Sequence, residues 1–109
     1  MNNAKKARLE AAGWKVGTAD EFLGLSKEEA NYVECKLALA QRLRARRIRR
    51  NLTQTALARR IGSSQSRVAK MEAGDASVSL DLLIKSFFAT GAGRRQLARA
   101  IAARSYRVA

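Results

Sequence analysis

The chain has no histidine and no proline, one cysteine, and six aromatic residues in 109. Without histidine and with a single thiol, neither a Cys/His zinc cluster nor a disulfide framework can be assembled. The commonest general base is missing, and no nucleophile can be paired with a substitute, so an enzyme is not expected. The nine acidic residues form no metal-ligating cluster, so neither a metal nor another cofactor is expected. Cys35 lies among apolar and charged residues at helical spacing. It reads as a packing residue, with a reactive thiol as the lesser alternative. No apolar run approaches the ~20 residues of a membrane span, and no signal-peptide core is legible. A cytoplasmic protein is expected, with no membrane partner. No ligand-binding domain is legible either, so no small-molecule partner is expected.

Acidic residues are the other scarcity. Twenty-two Lys and Arg face nine Asp and Glu, for a formal charge of +13. The excess is uneven: residues 1–34 hold five basic and six acidic residues, whereas residues 35–109 hold seventeen and three. Such a field attracts polyanions and supplies sequence-independent, salt-sensitive affinity. Charge alone does not separate double-stranded DNA from RNA. Single-strand binding needs aromatic stacking platforms, and the basic part offers only Phe87, Phe88 and Tyr106.

Within the basic part, residues 52–74, LTQTALARRIGSSQSRVAKMEAG, read as two short helices joined by a tight turn. Thr53 has the side chain of an N-cap, which predicts a first helix from Gln54 to about Arg60. Leu57 and Ile61 share its inward face, and Ala58 falls where the two helices approach most closely. Gly62 suits the left-handed turn that ends the helix. Ser63 or Ser64 then caps a second helix with Val68 and Met71 inward. Its outward residues are Gln65, Ser66, Arg67 and Lys70, side chains suited to base edges. Glutamine pairs bidentately with adenine, arginine or lysine with guanine, and serine is permissive. The bland alternative is an αα-hairpin within a bundle, but the coincidence of this pattern with the basic field favours DNA.

This stretch resembles the helix-turn-helix of the phage-repressor and Cro superfamily, the XRE family. There Leu-Thr-Gln opens the first helix of the motif and Glu-x-Gly closes the second, here Leu52, Thr53, Gln54 and Glu72, Ala73, Gly74. The resemblance runs from about Leu43 to Leu97. It implies that Gln54 caps its helix against a backbone phosphate, and that Ser64, Gln65, Ser66 and Lys70 approach phosphate or base edges. It also implies an ion pair between Arg47 and Glu72, and a two-fold dimer contact made by the final helices. Arg50 and Asn51 depart from the apolar residue and glycine common in the family, although asparagine also accepts a left-handed conformation. Ser66 is a short reader, which shifts base specificity towards Gln65, Arg67 and Lys70.

The rest of the chain predicts an all-α protein: a five-helix, phage-repressor-like domain over residues 26–104, with the motif at 53–72. A short helical extension over 1–25 precedes it, and a frayed tail over 105–109 follows. Ser26 and Glu29 are spaced as a capping box for a long helix from Lys27 to about Arg50. Its predicted buried stripe is Ala30, Val33, Leu37, Leu39 or Ala40, Leu43 and Ile48. Arg42, Arg46, Arg49 and Arg50 fall on another stripe, which either solvates a helix face or tracks a phosphate backbone. Ser79 should cap a fourth helix, Leu80 to Thr90. A fifth, Arg94 to Ala103, should turn Leu97, Ala98 and Ile101 inward. These two helices either complete a monomer core or form a homodimer contact.

In the extension, Gly13 to Glu29 resembles the leader of HigA-type antitoxins. Trp14 and Phe22 there either brace the long helix or dock a small toxin protein. The functional expectation is a dimeric, sequence-specific repressor of transcription on the nucleoid. An antitoxin that also represses its own operon is the alternative.

Overall fold

The structure is a computed structural model and describes residues 24–103. Among the described residues there are five helices and no strand: α1 (Lys27–Arg49), α2 (Gln54–Arg60), α3 (Gln65–Glu72), α4 (Leu80–Ala89) and α5 (Arg94–Ala102). The extension, including Trp14 and Phe22, and the tail with Tyr106, for which the sequence sets expectations, lie outside the described residues. No described helix is long and apolar enough to cross a membrane.

Local sequence sets each helix start. The Ser26 hydroxyl accepts from Glu29 N–H at 3.1 Å while the Glu29 carboxylate accepts from Ser26 N–H at 2.9 Å, a reciprocal box that satisfies two otherwise orphan donors. Thr53, Ser64 and Ser79 each accept from the N–H three residues on, at 3.0, 3.2 and 3.1 Å. Of the two serines at the turn, Ser64 is therefore the cap of α3. Helix ends follow a common rule as well. Asn51, Gly62 and Gly74 have φ of 58°, 63° and 74°. After each, an N–H reaches back five residues, Leu52 to Arg47 O, Ser63 to Ala58 O and Asp75 to Lys70 O.

The core lies where α1, α2, α3 and α4 converge, with α5 packed along α1. Leu39, Leu43, Leu57, Val68 and Met71 are fully buried, and Leu83 and Phe87 nearly so. Each stabilises the fold by roughly 1.5–3 kcal/mol relative to exposure. Ala58, 2% exposed, allows the close approach of α2 and α3. Ser86, the one buried serine among the described residues, is satisfied by Leu82 O at 2.7 Å, and its oxygen also lies 3.3 Å from Met71 Sδ across α3 and α4.

Three packing expectations are corrected. Val33 and Ile48 were predicted inside α1 and are 40% and 48% exposed. Val33 belongs to the N-terminal part of α1, ahead of the buried run that opens at Ala38. Steps of three and four from buried Leu43 fall on Arg46 and Arg47, not Ile48. The inward stripe of α1 therefore ends in two guanidinium groups. On α5 the buried residue is Ala100, while Ala98 is exposed and Leu97 and Ile101 are half-buried. The exposure of Phe88 (39%) also leaves one aromatic of α4 outside the core.

Candidate nucleic-acid interface

The motif contains one acidic residue, Glu72, and everything around it depends on how that charge is held. Arg47 on α1 and Glu72 at the end of α3 face each other with side chains only 12% and 3% exposed. Arg47 Nε donates to Glu72 Oε2, Nη2 donates to Oε1 at 3.0 Å, and Nη1 donates to Leu52 O at 2.8 Å. All three guanidinium nitrogens are engaged, so the fork geometry ties α1, the loop before α2 and α3 together.

The network continues outward. Gln54 Nε2 donates to Glu72 Oε1 at 3.0 Å, and Gln65 Nε2 donates to Gln54 Oε1 at 2.6 Å. A carboxylate only accepts, so it orients both amides in turn. Gln54 must present its NH2 to Glu72, leaving its oxygen for Gln65, which must answer with NH2. The exposed Gln65 is left with its oxygen and one amide hydrogen, the acceptor and donor that an adenine edge complements. Gln54, which the resemblance puts on a phosphate, also links the buried charge to the exposed amide.

Gln65, Ser66, Arg67 and Lys70 are all exposed on α3. At about 100° per residue, Ser66 stands opposite the buried Val68–Met71 side, and Lys70 lies about 40° from it. Gln65 flanks it towards α2, and Arg67 stands on the other flank, about 160° from Gln65 around the axis. Gln65 and Arg67 are thus turned to opposite walls of whatever α3 enters. The Ser64 hydroxyl accepts from Arg67 N–H and retains its own proton to donate.

The arginine stripe of α1 is elsewhere. Arg42, Arg46 and Arg49 line a cavity with Gln96 and Arg99 of α5, and the Arg50 guanidinium lies against Gly91, where an added Cβ would stand 2.7 Å from Nη2. Arg46 is half-buried. Its Nε donates to Thr90 Oγ1 at 2.9 Å, and its guanidinium carbon stands 5.7 Å from the Phe87 ring centroid. Burial first, and then the charges of Arg50 and Arg49, hold its guanidinium below its ordinary pKa. The four arginines share a surface with α5 and the end of α4, not with the outward face of α3. Sequence reasoning missed Gln96 and Arg99 as their neighbours, because nothing local marks which side of α1 the last helix covers.

Residues 43–85, from Leu43 in α1 to Lys85 in α4, match the family model described as Helix-turn-helix. The model is that of the phage-repressor-like, or XRE, helix-turn-helix family, so this segment, 43 of the 109 residues, is similar to the DNA-binding helix-turn-helix of that class of regulator. The match stops short of Leu97 and leaves α5 uncovered. No curated protein and no solved structure matches the chain.

Proposed function

We propose that the protein is a sequence-specific, double-stranded DNA-binding repressor that acts as a homodimer and reads the major groove with α3. The observation that carries this reading is the Arg47–Glu72–Gln54–Gln65 chain, which neutralises the only acid of the motif and holds one exposed amide in a defined orientation. A preset reader loses less side-chain entropy on docking than a mobile one. Gln65 addresses an adenine, Lys70 a guanine, and Ser66 a permissive position between them, while Arg67 and the Ser64 hydroxyl hold phosphates at the groove walls.

Dimerisation is supported by apolar surface that the single chain leaves uncovered: Phe88 on α4 and the half-buried Leu97 and Ile101 on α5. A two-fold arrangement sets two copies of α3 one DNA turn, roughly 34 Å, apart. Repression follows by occlusion of the promoter.

The test is selection of bound duplexes from a random pool at near-physiological salt, with the natural chain and with Gln65→Ala. An enriched palindrome with half-sites a helical turn apart, altered at one base pair per half-site by the substitution, is the expected result. Salt-sensitive binding without enrichment would overturn the reading.

A further inference from the structure

A second basic surface stands apart from α3. Arg47, which faces α3, and Arg49, which faces α5, point about 160° apart around the axis of α1. Packed helices have axes about 8–10 Å apart, so α3 and α5 flank α1 with roughly 16–20 Å between them. On the α5 side, Arg49 and Arg99 stand on facing helices, and Arg95 lies one turn before Arg99 on the same flank of α5. Arg50 follows on α1, against Gly91. These four residues are exposed, and none is paired with a described carboxylate. Arg42 is engaged within the chain and Arg46 is held by Thr90 and Phe87, so the free surface consists of the other four. Their closeness is felt at Arg46, whose guanidinium is held below its ordinary pKa by burial first and then by the charges of Arg50 and Arg49. The described acids lie elsewhere: Glu28, Glu29 and Glu34 in the first half of α1, Glu72 on Arg47, Asp75 with Ser77, and Asp81 in the first turn of α4.

Unpaired guanidinium groups on one face repel one another, and a polyanion laid across them relieves that repulsion. The fork of arginine grips phosphate oxygens bidentately. Gln96, the amide nearest to them, has its oxygen on Gly93 N–H at 3.0 Å, so no base reader is on offer. Phe87, the aromatic beneath, is 2% exposed and gives an unpaired base nothing to stack on. Such a surface suits a duplex backbone held without regard to sequence. Leu97 and Ile101, the apolar residues that support dimerisation, lie about 160° around α5 from Arg99, so the two surfaces do not compete. We propose that Arg49, Arg50, Arg95 and Arg99 hold the phosphate backbone of a second DNA duplex while α3 occupies the first, so that the protein bridges two DNA segments. The identity of the polyanion rests on the DNA reading of α3, whereas the surface itself does not. The two duplexes lie on opposite sides of α1, farther apart than the Debye length of about 8 Å at physiological salt, which screens their mutual repulsion.

A capture assay tests this. Streptavidin beads carrying a biotinylated duplex are saturated with the full chain at near-physiological salt, washed, and offered a fluorescent duplex of unrelated sequence. Retained protein and retained fluorescence are read together, and the natural chain is expected to hold both duplexes. Arg95→Gln combined with Arg99→Gln should leave the protein on the bead duplex and lower capture of the second duplex about tenfold or more, the scale of one charge-assisted hydrogen bond. Arg49→Gln, on the other helix, should lower it as well, and far-UV circular dichroism checks that each variant is folded. No capture by the natural chain would overturn the proposal. So would undiminished capture in the folded variants, which would leave bridging to the two α3 copies of a dimer. Loss of the variants from the bead duplex would overturn it too, since the first and second contacts would then be one surface. A fluorescent RNA duplex captured in preference to DNA would assign the surface to RNA, against the proposal. Failure of the operator reading is seen separately, as unchanged retention on the bead duplex of a chain carrying Arg67→Gln and Lys70→Gln.

Discussion

Arg47 and Glu72, 25 residues apart in the chain, are joined by two hydrogen bonds in a setting almost closed to solvent. The pair fixes the angle between α1 and α3, and through Gln54 it reaches the exposed surface of the recognition helix. Its removal therefore bears on both stability and base reading.

Glu72→Ala strands the Arg47 guanidinium in a buried site and is expected to destabilise the fold by about 3–5 kcal/mol. Equilibrium urea unfolding measures this. The double variant Arg47→Met, Glu72→Ala should lose less than the sum of the two single losses, since neither charge is then left alone. Additive losses would mean that the pair is not coupled.

Gln54→Met removes both the NH2 that donates to Glu72 and the oxygen that accepts from Gln65, and so removes the orientation of Gln65 without touching Gln65 itself. Discrimination at one base pair per half-site should fall by about 1–3 kcal/mol, as for Gln65→Ala. Competition binding with singly substituted duplexes reads the loss. Full discrimination in Gln54→Met would show that Gln65 does not need its partner.

Arg67 and Arg49 should separate in their salt dependence. If Arg67 holds a phosphate, Arg67→Gln lowers the slope of log K against log salt by about 1. Arg49 faces the α1–α5 cavity, so Arg49→Gln should leave the slope nearly unchanged. A reversed order would put the phosphate path along α1.

Gly62 has φ of +63° and open space where a Cβ would stand. Gly62→Ala is expected to cost about 1–2 kcal/mol from backbone strain alone. Gly62→Asn should cost less, as Asn51 already adopts this conformation with φ of 58° at the end of α1. Thermal unfolding of the two variants side by side decides it, and equal losses would mean that the left-handed turn is not the cause.

The capping box of α1 carries a pH signature. The Ser26 backbone N–H, and then its hydroxyl, hold the Glu29 carboxyl below its ordinary value of 4.5. A depressed carboxylate contributes stability that is present above its unfolded value and is lost as pH falls through its folded one. NMR titration of Glu29 should give a midpoint below 4.5, returning partway in Ser26→Ala, since the backbone donor remains.

What the amino-acid order determines here is local. Caps such as Thr53, Ser79 and the Ser26–Glu29 box, the glycine that ends α2, and the inward pairs Leu57 with Ile61 and Val68 with Met71 are legible because each depends on neighbours within one or two helical turns. The outward set Gln65, Ser66, Arg67 and Lys70 is legible for the same reason. Family resemblance, not periodicity, pointed to Arg47 with Glu72, whose partners no local rule can pair. Tertiary structure alone decided the rest. It set Arg46 on Thr90 instead of on a surface stripe and left Ile48 outside. It turned Gln54 towards Glu72 and Gln65, and closed α5 over the arginines to form a cavity. Long side chains at the edge of a helix can turn either way, and the element that packs beside them, distant in sequence, determines which way is stable.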